Sequence, residues 1–338
     1  LCKEVEGFPQ GRLKTQLRHA WSYDAKGFFH RARSMVDDFQ ADPFRGLMHP
    51  CTVEGFLSSA YGCSPWHGAP DDRSRRRIID WNDVNQALGC VRAWDDRNLR
   101  LGLHGRPVPT PEYCSPHESS SGTVWRPDAE RVSKALKAGA TLMASGIDGV
   151  IPAVGALAES IESALPVRVQ ANLYCSSAGA AGFPRHEDTH DVLVVHLFGS
   201  KRWSVGSPAA ASRAGGPDLQ HFLLRPGDLL YVPQGWSHEA LAEAGPCLHL
   251  TLALVHVSIE HIAHMLARSI CTPGLSDKPL YDLHLGSQAV AAHLERVVQM
   301  MASRAGEGLA AEVLNDLLAG RRVRPRYALP VDHPDHVP

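Results

Sequence analysis

His186, Asp188 and His238 offer two imidazoles and one carboxylate, the set that holds Fe(II) on one face and leaves positions open for substrate and oxygen. Such a site activates oxygen on a non-haem iron. Nineteen histidines in 338 residues make an isolated His-x-Asp cheap, so the weight falls on what surrounds it. Taken alone, His186 and Asp188 also read as a surface pair following a loop, and His238 as a structural histidine.

The elements that must position these groups read mostly as strands. Gly227-Asp228 precedes an apolar strand ending at Val232, and Pro233 and Gly235 in a tight turn deliver His238 to the start of the next strand. Asp191 to Phe198 is an apolar run of strand length, broken at Gly199-Ser200, with Lys201 to Val205 expected to return as a hairpin arm. Further strands are predicted over Val167–Tyr174, Glu239–Ala242 and Cys247–Val257. This gives a mainly β fold with helical additions, a double-stranded β-helix (jelly-roll, cupin) core. Upstream, Pro127-Asp-Ala-Glu130 opens a predicted helix running to about Ser145, and a second spans about Pro152 to Ala164. After Ser258 helical periodicity returns, with Ile259 and Ile262 beside Met265-Leu266, then Val290, Leu294, Val297 and Met301, then Leu309, Val313 and Leu317.

These residues resemble the cupin-fold Jumonji C oxygenases, and among them the ribosomal oxygenase branch. The likeness is carried by Asn172-Leu-Tyr174, Gly182-Phe-Pro-Arg-His186-Glu-Asp188, Gly199-Ser-Lys201-Arg-Trp203, the segment from Pro226-Gly-Asp to His238, and Leu248-His-Leu-Thr251. It covers residues from about 127 to 257. The resemblance implies a metal site of His186, Asp188 and His238 for Fe(II), with 2-oxoglutarate as co-substrate and O2 as oxidant. It implies hydroxylation of an amino-acid side chain in a protein or peptide. The same chemistry on a free or carrier-bound amino acid or a natural product is the alternative, and a non-catalytic metal-binding cupin is a third reading.

Lys201 stands at the family's position for the cation that holds the distal carboxylate of 2-oxoglutarate. Strand alternation turns Arg202 the other way. Asn172 matches a position near the co-substrate, Tyr174 shares its face, and His249 and Thr251 share a face of a late strand, so these five residues are the expected co-substrate cradle. Each also has a plainer reading as a barrel residue. Glu187 should point away from the metal, His196 reads as a core or pocket residue, and Trp203 and Trp236 read as packing.

The expected organisation is an N-terminal region (1–126) packing on the barrel, a catalytic core (127–257), a helical dimerisation element (258–320) and an extended tail (321–338). The tail is rich in Arg and Pro and shows no winged-helix pattern. In the N-terminal region, 71–77 and Arg106–Pro111 read as exposed loops, and Trp21 and Phe28-Phe29 as packing aromatics. A net charge of −2 gives no bulk attraction to nucleic acid, which is not an expected partner. No stretch approaches the ~18 apolar residues of a membrane span, and the first thirty residues lack a secretory core. A cytoplasmic homodimer with free, reduced cysteines is expected, because no two cysteines show C-x-x-C spacing.

Overall fold

A computed structural model of the chain describes residues 42–70, 78–120, 122–177, 179, 183–208, 219–258, 260, 262–264 and 287–304. Trp21, Phe28-Phe29, the 71–77 run, Met265-Leu266, Leu309, Val313, Leu317 and the 321–338 tail lie outside these. The chain divides into two compact units, one of residues up to Ile161 with Val169–Val255, the other of Glu162–Arg168 with His256 onward.

The first unit opens with α1 (Pro43–Met48) and α2 (Val53–Ser59), then β1 (Trp66–Gly68), α3 (Trp81–Gly89), β2 (Leu99–Leu103), β3 (Arg106–Pro107) and α4 (Thr110–Tyr113). Its first three helices start where the short polar side chains of Asp42, Thr52 and Asp80 cap free backbone donors. The Asp80 carboxylate accepts from Asp83 N at 3.1 Å while Asp83 accepts from Asp80 N at 2.9 Å, a reciprocal box opening α3. The expected loop at Arg106–Pro111 is instead a short strand followed by a helical turn, because Gly102 and Leu103 pair with Pro107 and Arg106. A two-stranded hairpin, β4 (Cys114–Ser119) with β5 (Gly122–Pro127), follows.

Next come α5 (Ala129–Lys137), β6 (Thr141–Ser145), α6 (Pro152–Ala164), β7 (Val167–Ser176), β8 (Asp191–Gly206), β9 (Leu219–Leu224), β10 (Leu229–Val232) and β11 (Ser237–His256). The helix predicted from Pro127 to about Ser145 stops at Lys137. Gly139 at φ +97° cannot continue it, and Thr141–Ala144 are buried as a strand hydrogen-bonded to β2 and β7. The predicted helix over 152–164 is present.

Among the described residues nine strands form one sheet, in the order β1-β10-β8-β11-β7-β6-β2-β3, with β9 also on β8. The expected hairpin at Gly199 does not form. β8 runs straight through as sixteen residues, and Gly199, at φ +71°, bends it without reversing it. A Cβ there would meet Pro246 O at 2.5 Å and Cys247 Sγ at 2.7 Å, so the crossing of β8 and β11 needs glycine. The first half of β8 pairs with β10 and the second with β9, while β11 follows it throughout with register shifts between Ala242 and His249. Glu239–Ala242 and Cys247–Val257, expected as two strands, are therefore parts of one.

The interior of the roll is filled by Val192, Val194, Trp203, Val205, Leu224, Leu230 and Val232, with Phe222 and Trp236 packed against them. On β10, the Tyr231 hydroxyl donates to Asp191 Oδ2 and accepts from Gly62 N at 2.8 Å, tying the segment after α2 to the barrel. The second unit carries α7 (Ser287–Arg304), on which Val290, Leu294, Val297 and Val298 are exposed. No helix among the described residues is long and apolar enough to cross a membrane.

Candidate metal centre

The short segment before β8 and the first residues of β11 are stitched together by a two-way backbone bridge. His186 N donates to His238 O at 3.1 Å, and His238 N to His186 O at 2.8 Å. Gly235 N donates to Asp188 O at 3.0 Å, and the flanking Arg185 and Glu239 form an ion pair. The turn that the sequence places before His238 thus also holds Asp188.

This frame brings one ligand atom of each of His186, Asp188 and His238 within 4.8 Å of the others. His186 Nε2 lies 3.9 Å from Asp188 Oδ1, and His238 Nε2 lies 3.5 Å from Asp188 Oδ2. The other nitrogen of each ring is already committed, His186 Nδ1 to Pro184 O at 2.9 Å and His238 Nδ1 to Trp236 O at 3.1 Å. A carbonyl only accepts, so both Nδ1 atoms donate, which leaves Nε2 of each ring, on the carboxylate side, as the nitrogen available to a metal. Burial, and then the neighbouring His186, push the His238 pKa down, favouring the neutral ring that a metal requires. Two imidazoles and one carboxylate fit a divalent transition metal with sites left open. Glu187 is exposed, as strand alternation implied, and takes no part in the set.

The three side chains sit in the wall of a cavity of about 530 Å³. All five residues expected to form the cradle line it, namely Asn172, Tyr174, Lys201, His249 and Thr251. Lys201 is buried, and Arg202 points out to pair with Glu243, as alternation required. Lys201 Nζ donates to Ser176 Oγ at 2.9 Å and lies 3.4 Å from His249 Nδ1. Burial lowers its pKa to about 8, against the opposing influence of Cys247 and Cys175. The Tyr174 ring stacks on His249 at 4.8 Å and 4°, and burial pushes its phenol up to about 12.

Two polar atoms around this cavity, Asn172 Oδ1 and Trp203 Nε1, are buried without a hydrogen-bond partner. Buried polar groups in folded proteins are ordinarily satisfied, so these fit a ligand-filled state. His196 lies beneath His249, its Nε2 on Gly199 O at 3.1 Å, with burial pushing its pKa to about 4. It is a neutral support for the pocket.

Sequence reasoning missed Thr141 and Ser176. Their hydroxyls are 3.0 Å apart and extend the polar end around Lys201. The alternation Asn172, Tyr174 continues to Ser176 just past the predicted end of its strand, and Thr141 falls in residues whose pattern predicts a helix. Trp203, read as packing, does fill the core and also lies 6.0 Å from the His238 ring.

Residues 150–262 match the JmjC domain family. Over 107 residues the chain is 36% identical to ribosomal oxygenase 2 of Rattus norvegicus, covering 28% of this chain and 23% of that protein. Over 97 residues it is 34% identical to the bifunctional lysine-specific demethylase and histidyl-hydroxylase NO66 of Drosophila persimilis, covering 25% and 14%. The chain thus spans less than a quarter of either relative. Among solved structures, that of Escherichia coli YcfD aligns over 82% of this chain and 74% of its own, with a TM-score of 0.54 and 17% identity. The same ribosomal oxygenase, solved in complex with cobalt and 2-oxoglutarate, aligns over 80% and 71%, with a TM-score of 0.51 and 16% identity. These likenesses establish the cupin-type barrel. Over residues 150–262 the chain is therefore similar to JmjC domains, and within that region to the ribosomal oxygenases.

Proposed function

We propose that this protein is an Fe(II)- and 2-oxoglutarate-dependent oxygenase hydroxylating an unactivated C–H of an amino-acid side chain in a protein or peptide. One observation carries the reading. The two Nε2 atoms and the Asp188 carboxylate open into the same cavity whose far end buries a lysine ammonium. A metal-binding scaffold has no use for that buried cation.

In this reading His186, Asp188 and His238 hold the iron, and Lys201 binds the distal carboxylate of 2-oxoglutarate, helped by Ser176 and Thr141. When bound, Fe(II) with 2-oxoglutarate and O2 replaces a C–H hydrogen by hydroxyl, the co-substrate leaving as succinate and carbon dioxide. The protein's own share is orientation and exclusion of water. Tyr174 stays protonated as a donor, His249 stays neutral beside Lys201, and Trp203 packs along His238. Asn172 and Thr251 complete the cradle.

A polypeptide substrate is supported by the relatives, whose names denote action on ribosomes and on histidyl and lysyl groups. It is supported too by His186, whose side chain is 46% exposed at the cavity mouth. We assign residues 127–257 as the catalytic core, completed by strands from the 1–126 region, and 258–320 as a dimerisation element whose exposed apolar stripe on α7 would be covered by a second copy. A cytoplasmic location belongs to the same reading, since the cysteines of the described residues are all free.

The test is succinate formation from 2-oxoglutarate with Fe(II) and O2, together with a one-oxygen mass gain on polypeptide acceptors. Wild type is expected to show both and Asp188→Ala neither. Succinate without any gain on polypeptides, but with oxidation of free amino acids, would move the reading to the small-molecule alternative.

A further inference from the structure

We infer that Arg100 selects the substrate, by pairing with an acidic side chain that flanks the residue to be hydroxylated. The inference rests on the oxygenase reading and adds to it a charge requirement on the polypeptide.

Arg100 lies on β2 opposite Met143 of β6, and Met143 lies opposite Tyr174 of β7. The three form a cross-strand row, and all three line the cavity. Adjacent strands are about 4.8 Å apart. Arg100 therefore stands roughly 10 Å from Tyr174 at backbone level, a residue or so away from a side chain seated over the metal. The row links the mouth to the inner site, since the Tyr174 ring stacks on His249 next to Lys201.

The other charges around the cavity are already engaged. Lys201 is held by Ser176, Glu239 is paired with Arg185, and Asp188 belongs to the metal set. Four arginines away from the cavity are held by partners, Arg97 on Asp95, Arg202 on Glu243, and Arg126 and Arg131 on backbone carbonyls. The guanidinium of Arg100 has only a contact with Met143 Sδ at 3.8 Å, and no carboxylate partner among the described residues. Laid along a thioether and left uncompensated at the rim, it presents the planar fork that binds a carboxylate through two parallel hydrogen bonds. A basic residue at the same place on the polypeptide would meet like charge and be rejected.

The test uses a random ten-residue peptide library in mRNA display, presented to the full chain loaded with Mn(II) and 2-oxoglutarate so that binding is read without turnover. Wild type is expected to enrich Asp or Glu at one fixed position, by on the order of tenfold. In Arg100→Glu that position should switch to Lys or Arg, and in Arg100→Lys the acidic preference should persist but weaken. The anaerobic Fe(II)–2-oxoglutarate absorption band, recorded for all three proteins, reports an intact fold and inner site. With the band present, either no acidic enrichment in wild type or the same enrichment in Arg100→Glu would overturn the role of Arg100 alone. Absence of the band from wild type would remove the oxygenase reading beneath it.

Discussion

The two ends of the cavity are built on opposite principles. At the metal end the side chains are held by backbone. Each imidazole is fixed through Nδ1 on a carbonyl, and the strand segments are clamped by the His186–His238 bridge while His186 itself stays open to solvent. At the other end a lysine is buried with one hydroxyl and one neutral imidazole for company. The first end is ready before anything binds. The second carries the cost of a buried charge, which a bound carboxylate would offset.

The largest effect should come from breaking the metal end. His238→Ala removes a ligand and one end of the side-chain frame. Metal affinity should fall by more than the ~10–100-fold typical of lost supporting contacts, as read by equilibrium dialysis with Fe(II) or Mn(II).

Removing the buried lysine should stabilise the protein. The folded pKa of Lys201 is about 8, below its ordinary 10.5, so the unfolded chain holds the proton more tightly. Below pH 8 the full cost of burying the charge falls on the folded state, roughly 3 kcal/mol by linkage. That cost fades as pH rises from 8 to 10.5. Lys201→Met should therefore raise the thermal midpoint near pH 7 without co-substrate, lose that advantage toward pH 10.5, and sharply weaken 2-oxoglutarate binding. In wild type, 2-oxoglutarate affinity should decline above about pH 8, by up to tenfold per unit, because the neutral amine must first take up a proton. Equal midpoints at pH 7 would show that Lys201 is better solvated than its burial indicates.

A third change tests the bend that joins the two ends. Gly199→Ala places a methyl against Pro246 O and Cys247 Sγ and forces alanine to φ +71°, which should cost on the order of 1–3 kcal/mol in denaturant melts. Smallest of all, Arg185→Ala removes the partly exposed pair with Glu239. Stability should change by no more than about 1 kcal/mol, with metal affinity little altered. A large loss of metal would mean that this pair, and not the backbone bridge, sets the position of His186.

The contrast also explains what could be read from sequence. The clustering of His186, Asp188 and His238 was legible because they are close to strand ends whose turn residues, Pro233 and Gly235, announce themselves. Lys201 was legible because period-2 alternation separates it from Arg202 whatever the strand pairs with. Thr141 and Ser176 were not. Residues 129–145 contain enough apolar side chains for either period, and only the positive φ of Gly139 and the pairing of β6 with both β2 and β7 decide for a strand. The continuity of β8 was hidden for a related reason. A glycine between two apolar runs signals a turn locally, whereas here the close approach of Pro246 and Cys247, distant in sequence, makes it a bend.

Whether the metal triad and Lys201 serve one ligand is tested most directly by an anaerobic titration of 2-oxoglutarate into the Fe(II)-loaded protein, followed by the weak visible charge-transfer band. The band is expected in wild type, absent in His186→Ala, and reached in Lys201→Ala only at far higher 2-oxoglutarate. A wild-type protein that binds Fe(II) but shows no band at saturating 2-oxoglutarate, or a Lys201→Ala titration that overlays the wild type, would contradict a shared ligand.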